Sequence, residues 1–498
     1  MKLADLLRDV PVVSVTGDLK VDITSVTADS RLVKQGAIFV AITGFQQDGA
    51  TFIDSARSKG ASAIVSAPPA REGPGAHVLV EDTRAALALI AANFYGRPAD
   101  KLSLVGVTGT SGKTTTTKMI ESILDAGDEP VGLIGTIEYR AGDERLNADR
   151  TTPDAVVLQE WFAKMRDARV RHAVMEVSSH ALALKRTHGL RFDAAVFTNL
   201  SRDHFDFHKD FDDYFAAKRI LFDQTDHSRR SSVVNLDDPY GLRLANELGK
   251  AAFTFGRGND ADIHPAGGFE ISVRGLRGRV VTPAGEIRVE SSLLGLPNLY
   301  NWLAAIGAAL AVGIPIPTIE AGIRNLSSVR GRFERVGAGS GPTVIVDYAH
   351  KPDAMEKLLH AVRELAGGKR VVVLFGCGGD RDKGKRPQMG EIAGRLADFA
   401  ILTSDNPRGE KAETILDEIE KGMGSIEAGQ YTRIADRREA IASTIAGATD
   451  DDVIVIAGKG HETYQVVGDR IIHFDDREEA EHALKKRSEN LRSKQQLN

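Results

Sequence analysis

Cysteine is almost missing from this chain: Cys377 stands alone among 498 residues. That excludes an intrachain disulfide and any multi-cysteine zinc site, and it fits a reducing compartment. An excess of positive charge is missing too. The 64 Lys and Arg face 69 Asp and Glu, a formal net charge of −5, so no global basic footprint for nucleic acid exists. Long apolar runs are absent. The longest, residues 302–317, is shorter than the ~20 residues of a spanning helix and is interrupted by Gly307, Gly313 and Pro315, so it reads as a buried core helix. Residues 1–10 carry Asp5, Arg8 and Asp9 where a secretory signal needs apolar side chains. What remains, 42% hydrophobic and 27% charged, is an ordinary globular composition. A cytoplasmic monomer acting on small molecules, with no membrane span and no nucleic-acid partner, is the expectation.

At ~150 residues per domain the length suggests about three domains. A small α/β unit opens the chain, with a strand between Gly36 and Gly44 and an Ala/Leu-rich helix over residues 83–95, closed by Gly96-Arg-Pro98. A second unit begins with a strand at residues 102–107 and contains apolar runs at 173–177, 194–198 and 233–235 that end in polar residues. Residues 269–290 alternate, which predicts an antiparallel insertion. After a break at 329–332, β-branched runs at 344–347, 370–375, 399–402 and 453–457 alternate with helical segments. Such continuous apolar strands predict a parallel sheet covered on both faces, whose ligands bind beyond the carboxyl ends of the strands. The expected architecture is α/β in three domains. A small N-terminal α/β domain takes residues 1–97, a central P-loop ATPase-type parallel sheet 98–330, and a C-terminal Rossmann-like domain 331–498.

The strongest motif is Gly106-Val-Thr-Gly-Thr-Ser-Gly-Lys-Thr114, with a strand before it and a helix-compatible segment at 114–126 after it. Backbone amides of such a loop cradle phosphate oxygens, Lys113 neutralises β/γ-phosphate charge, and the Thr114 hydroxyl ligates Mg²⁺. Val107 stands where the strict motif has Gly, so this is a variant loop. Two more segments follow strands: Met175-Glu-Val-Ser-Ser-His180 and Thr198-Asn-Leu-Ser-Arg-Asp-His-Phe-Asp206. A carboxylate and an imidazole at adjacent strand ends can hold Mg²⁺ opposite a phosphate loop. Taken alone, Glu176 could equally be a satisfied buried acid, His204 a structural histidine and Lys218 an ordinary helix lysine.

These motifs occur in one order with Pro297-Asn-Leu-Tyr-Asn301, Gly331-Arg-Phe-Glu334, Asp347-Tyr-Ala-His350 and Gly458-Lys-Gly-His-Glu462. The series resembles the Mur ligases, ATP-dependent amide-forming enzymes of peptidoglycan precursor synthesis. It is most similar to the members that add the third residue to UDP-N-acetylmuramoyl-L-alanyl-D-glutamate. Asp405-Asn-Pro-Arg408 is similar to the motif of those adding meso-diaminopimelate rather than lysine. A guanidinium can pair bidentately with the extra carboxylate of diaminopimelate, and it is left unpaired by lysine.

The resemblance implies a role for each residue. Gly109, Thr110, Ser111, Gly112, Lys113, Thr114 and Thr115 would bind the triphosphate. Asn298, Asn301, Arg332 and Asp347 would complete the nucleotide site, the last two from across a domain boundary. Thr114, Glu176, His204 and an N-carboxylated Lys218 would hold Mg²⁺, and Lys113, Glu176, His204 and Lys218 would carry the chemistry. Ser30, Thr151, Thr152, Ser178 and Arg186 would hold the UDP-muramoyl dipeptide. Arg381, Asp405, Asn406, Pro407, Arg408, Gly458 and Glu462 would hold diaminopimelate. Leu184 departs from relatives that have Gln there, so no contact is assigned to it. A lysine-adding member, a folylpolyglutamate synthase and a P-loop regulatory ATPase are the alternatives.

Overall fold

A computed structural model describes residues 1–44, 47–128, 130–337, 341–424 and 431–496, with side chains as far as Ser493. By internal contact density the chain divides into two units. One comprises Met1–His264, Val281–Gly285 and Asn301–Gly322; the other comprises Pro265–Val280, Glu286–Tyr300 and Ile323–Asn498. Among the described residues no helix is long and apolar enough to cross a membrane.

The first unit holds two sheets. The N-terminal sheet runs in the order Val12–Thr16, Ala76–Val80, Ala63–Ser66, Ala37–Val40, Ser25–Thr27, with only the Val12–Thr16 edge antiparallel. Its strands alternate between two cores: Ile38, Val40, Val65 and Val78 face one, while Ala37, Phe39 and Ile64 face the other. The larger sheet runs Ala252–Phe255, Ser232–Asn235, Ala194–Phe197, Ser103–Thr108, His172–Glu176, Val131–Ile134, and then an antiparallel pair Glu138–Ala141 and Glu144–Asn147. The first six strands are parallel. Ser103–Thr108 sits where the strand order reverses, the position at which open α/β sheets leave a crevice for ligands.

The second unit has a six-stranded sheet in the order Glu334–Val336, Thr343–Asp347, Val453–Ala457, Val371–Phe375, Phe399–Leu402, Tyr431–Arg433, parallel except at the Glu334–Val336 edge. Both faces are buried. Val371, Val373 and Phe375 enter one core, and Val372 and Leu374 the other; Val453 and Val455 alternate with Ile454 and Ile456 in the same way. That two-sided burial is why these strands read as unbroken apolar runs. The expected antiparallel insertion forms from Glu270–Ser272, Gly275–Thr282 and Gly285–Ser291.

Two buried arginines pin the loops at the carboxyl edge of this sheet. Arg437 and Asp476 have no exposed side-chain surface and pair through Nε–Oδ1 and Nη2–Oδ2, each at 2.7 Å. Nη2 of Arg437 also donates to the Ala457 carbonyl at 2.9 Å, at the end of Val453–Ala457. Arg386, equally buried, donates to Glu410, Glu418 and the Gly378 carbonyl. Removing one partner of such a pair strands a buried charge. Asp476→Ala is therefore expected to lose about 3–5 kcal/mol of stability in urea unfolding at pH 7; a loss under about 1 kcal/mol, the level of a surface pair, would contradict this role.

Candidate active site

The phosphate loop leaves the central strand Ser103–Thr108 and enters the helix Lys113–Asp125. Its two inner glycines are obligatory. Gly109 has φ +149° and a Cβ there would stand 1.9 Å from Thr198 Oγ1; Gly112 has φ +85° and a Cβ would stand 2.6 Å from Asn301 Oδ1. The loop is tied to the segment after Ala194–Phe197: Thr110 N donates to Asn199 O at 2.9 Å, and Ser111 N to Asn199 Oδ1 at 3.0 Å. Thr198 Oγ1 donates to Ser111 O at 2.7 Å. Lys113 folds back over the loop, its Nζ donating to the carbonyls of Gly109 at 2.8 Å and Thr110 at 3.1 Å. Thr115 is buried in the first turn, and the Asn301 side chain accepts from Thr116 Oγ1 at 3.2 Å.

On one side of the loop strand stands Glu176, the last residue of His172–Glu176, only 1% exposed. Its carboxylate accepts from Thr114 Oγ1 at 3.0 Å, Thr136 N at 2.7 Å and Thr136 Oγ1 at 3.0 Å. Thr136 Oγ1 shares a bond of 3.1 Å with Thr151 Oγ1. Next to them Thr152 Oγ1 donates to the Glu176 carbonyl at 2.8 Å and accepts from Ser178 N at 3.1 Å, and its own carbonyl accepts from Arg186 Nη1 at 2.7 Å. Four of the five residues expected at the dipeptide thus form one network with the acid. Ser30 lies in a turn between the strands Ser25–Thr27 and Ala37–Val40, where its carbonyl accepts from Lys59 Nζ at 2.8 Å. Beside Arg186 a crevice of about 190 Å³ is lined by Arg84, Arg150, Asp154 and Lys185.

Lys218 also reaches the loop, from the helix Phe211–Asp223, and is 1% exposed. Its Nζ donates to the Gly109 carbonyl at 2.9 Å and lies 4.6 Å from the Tyr214 ring centroid. Burial, and then the nearby Lys113 charge, hold its amine well below the ordinary lysine value, with Asp203 opposing them. Burial also pushes the Tyr214 phenol up to about 12. The His204 ring lies 4.8 Å from that of His180 and 6.4 Å from that of Tyr214, centroid to centroid. The Thr114 hydroxyl and Glu176 carboxylate are hard oxygens of the kind Mg²⁺ takes. Among the described residues no group of three His, Cys, Asp or Glu side chains closes into a metal cage. The donor set fits a cation that also draws ligands from phosphate and water.

The second unit gathers its own set at the carboxyl edge of its sheet. Asp347 Oδ2 accepts from Phe333 N at 2.7 Å and Oδ1 from Ala349 N at 2.8 Å, while the Arg332 guanidinium lies 4.8 Å from the Tyr348 ring centroid. Burial raises the Asp347 carboxyl, with Arg332 and these amides opposing it. Asn298 is buried on the helix Gly295–Ala311, its Nδ2 bonded to Leu294 O at 2.8 Å. The Asp405–Arg408 loop is strapped to the hairpin Tyr464–Val467/Arg470–His473. Gln465 Nε2 donates to Asp405 O at 2.6 Å, Val466 N to Asn406 Oδ1 at 2.9 Å, and Arg408 N to Val466 O at 3.0 Å. This holds Arg408 at φ +51°, a left-handed backbone rare outside glycine, and its Nη1 donates to Gly379 O at 2.9 Å. A Cβ on Gly379 would stand 1.9 Å from the Pro407 carbonyl oxygen. Gly458, at φ +117°, donates its N–H to Asp347 O at 3.1 Å, and Glu462 Oε2 accepts from Asn406 Nδ2 at 3.1 Å. Arg381 is the outlying member: exposed, with Nη1 bonded to Asp380 O at 3.2 Å.

Three family models match the chain in succession. The Mur ligase family catalytic domain matches residues 22–95, the Mur ligase middle domain 107–309, and the Mur ligase glutamate ligase domain 331–460. A Geobacter metallireducens protein named UDP-N-acetylmuramoyl-L-alanyl-D-glutamate–2,6-diaminopimelate ligase is 44% identical across 98% of this chain and 99% of its own. This chain belongs to the Mur ligase family. A Clostridium acetobutylicum relative, whose name is the same with the number 1 added, is 44% identical across 96% of this chain and 98% of its own. A solved structure of an enzyme so named superposes with a TM-score of 0.72 at 31% identity, covering 98% of this chain and 99% of the other.

Mur ligases are ATP-dependent amide-forming enzymes; in this chain Lys113 and Lys218 meet at one carbonyl of the glycine loop, that of Gly109. Sequence reasoning missed Thr136, which holds both Glu176 oxygens, and Lys459, buried against Asn406 and Glu462. Both follow strand ends in Gly-flanked positions, Gly135-Thr136 and Gly458-Lys459-Gly460, a signal that could have found them. Lys218 gives a pH test. Its amine holds a proton less tightly in the fold than in the unfolded chain, so stability falls as pH drops from 10.5 toward the lowered folded value and stops falling below it. In carbonate-free buffer the melting temperature of Lys218→Met relative to wild type is expected to be highest near neutral pH and to decline toward pH ~10; a difference independent of pH would contradict a lowered Lys218.

Proposed function

We propose that this Mur ligase is a cytoplasmic enzyme that joins meso-2,6-diaminopimelate to the D-Glu of UDP-N-acetylmuramoyl-L-alanyl-D-glutamate in peptidoglycan precursor synthesis. The observation that carries the proposal is the near full-length 44% identity to relatives named for that reaction. The Asp405–Arg408 loop supports the choice of amino acid.

The substrate's γ-carboxylate attacks the γ-phosphorus of ATP, and ADP leaves. The amine of diaminopimelate then attacks the acyl phosphate carbon, and phosphate leaves. Charge gathers on the transferred phosphoryl group, so positioning and cationic stabilisation carry the rate. In this reading residues 109–115 bind the triphosphate, Lys113 swings from the loop carbonyls to the phosphates, and Asn298, Asn301, Arg332 and Asp347 also serve the nucleotide. Thr151, Thr152, Ser178 and Arg186 hold the muramoyl dipeptide, with Ser30 serving the uridine part. Arg408 and Arg381 take the carboxylates of diaminopimelate; Asp405, Asn406, Pro407, Gly458 and Glu462 form the rest of its site.

Mg²⁺ would be held by Thr114 and Glu176, and by His204 with a carbamate of Lys218, and when bound it neutralises phosphate charge. A neutral buried amine is the form that adds CO₂: the N–C bond forms, nitrogen releases a proton to solvent, and a neutral amine becomes an anionic carbamate.

Incubation with ATP, Mg²⁺ and the UDP-muramoyl dipeptide, offering meso-diaminopimelate or L-lysine in parallel, tests the reading. Tripeptide with diaminopimelate, preferred by about a hundredfold or more, is expected from a site that leaves the half-buried Arg408 cation without its carboxylate when lysine binds. Equal use of both refutes the role of Arg408, and product with neither refutes the ligase.

A further inference from the structure

Lys459 is the only fully buried lysine, at 0% exposure, among the loops of the amino-acid site, and the reaction as derived does not use it. Its Nζ donates to Asn406 Oδ1 at 3.2 Å and Glu462 Oε2 at 3.1 Å. It stands 3.6 Å from Asp405 Oδ1, within ion-pair range but beyond a hydrogen bond. That Asp405 oxygen is buried with no hydrogen-bond partner, and its residue is 7% exposed. A Cβ on Gly458 would stand 3.5 Å from the other carboxylate oxygen, so the glycine keeps space open there.

A charge count follows. Asp405 and Glu462 contribute two negative charges and Lys459 one positive. The nearby Arg437 is already matched by Asp476. The acidic side of the site is left with one net negative charge and a carboxylate oxygen that accepts no hydrogen bond, which suits a single ammonium. Arg408 supplies one positive charge for the carboxylate at that end, which leaves the exposed Arg381 for the other carboxylate. Diaminopimelate carries that pair at the end that does not react. Lysine carries only the ammonium.

We infer that Lys459 is a positioning residue that sets amino-acid specificity: it fixes Asn406 and Glu462 and cancels one of two carboxylate charges, so the site accepts a zwitterionic end. The inference rests on the diaminopimelate-adding reading above. Without Lys459 two uncompensated carboxylates would repel the substrate's own carboxylate and loosen the loop that aims Arg408.

The test uses Lys459→Met, which keeps length and burial. The KM for diaminopimelate should rise about tenfold or more, as for loss of one partner from a buried charge pair. The kcat at saturation and the KM values for ATP and the dipeptide should stay near wild type, and the preference over lysine should fall by about the same factor. In Lys459→Met/Glu462→Gln, which restores the charge count, the preference should recover above that of Lys459→Met. An unchanged KM and preference in Lys459→Met overturns the inference. So does an equal rise of all three KM values with a lower melting temperature, which marks a merely structural lysine, and so does a double variant whose losses multiply. A wild-type enzyme that makes no product with either amino acid refutes the ligase reading itself, and the inference falls with it.

Discussion

One carbonyl oxygen organises the glycine loop of this enzyme. Gly109 O accepts from Lys113 Nζ at 2.8 Å and Lys218 Nζ at 2.9 Å. Burial, and then the Lys113 charge beside it, hold the Lys218 amine well below the ordinary lysine value. The arrangement requires glycine at 109, because any Cβ would collide with Thr198, and it requires the segment after Ala194–Phe197 to lie against the loop. That placement follows from the sheet order, in which the loop strand lies between His172–Glu176 and Ala194–Phe197. Glu176 and Lys218 both reach the loop, Glu176 through the Thr114 hydroxyl and Lys218 through the Gly109 carbonyl.

The amino-acid end solves a different problem with the same kind of scaffold. Its ligand loops leave the carboxyl edge of a parallel sheet and have no regular structure of their own. Buried ion pairs hold them from behind, Arg437 with Asp476 and Arg386 with Glu410 and Glu418. Buried pairs of this kind contribute little net stability over apolar packing. Their value here is orientation: Arg437 reaches the Ala457 carbonyl and Arg386 the Gly378 carbonyl, each next to a proposed substrate loop. Left-handed backbone at Asp380 and Arg408, in the loops beside those pairs, marks where that rigidity aims a side chain.

Much of the fold was legible because burial leaves a plain pattern. The strands Val371–Phe375 and Val453–Ala457 are apolar at every position since both faces are covered. Edges were harder. The apolar window at 302–317 suggested a helix there, but the helix runs Gly295–Ala311, because Pro297 is tolerated in a first turn while residues 312–315 turn away. The hairpin that straps Asp405–Arg408 went unforeseen, since its Arg470–His473 strand is exposed throughout and carries no alternation. Site residues divided by chemistry. The phosphate loop announces itself through glycines that only its geometry explains. Lys218 and Lys459 announce nothing, because a lysine's burial depends on distant segments; the family pattern located the first, and only the structure located the second.

The claim on which the nucleotide end depends is that Lys218 carries a neutral amine open to CO₂. Carbon-13 NMR of the enzyme equilibrated with labelled bicarbonate tests it most directly. The account predicts one carbamate carbon resonance in the wild type, lost in Lys218→Met. A wild-type spectrum without that resonance, or one that persists unchanged in Lys218→Met, would contradict it.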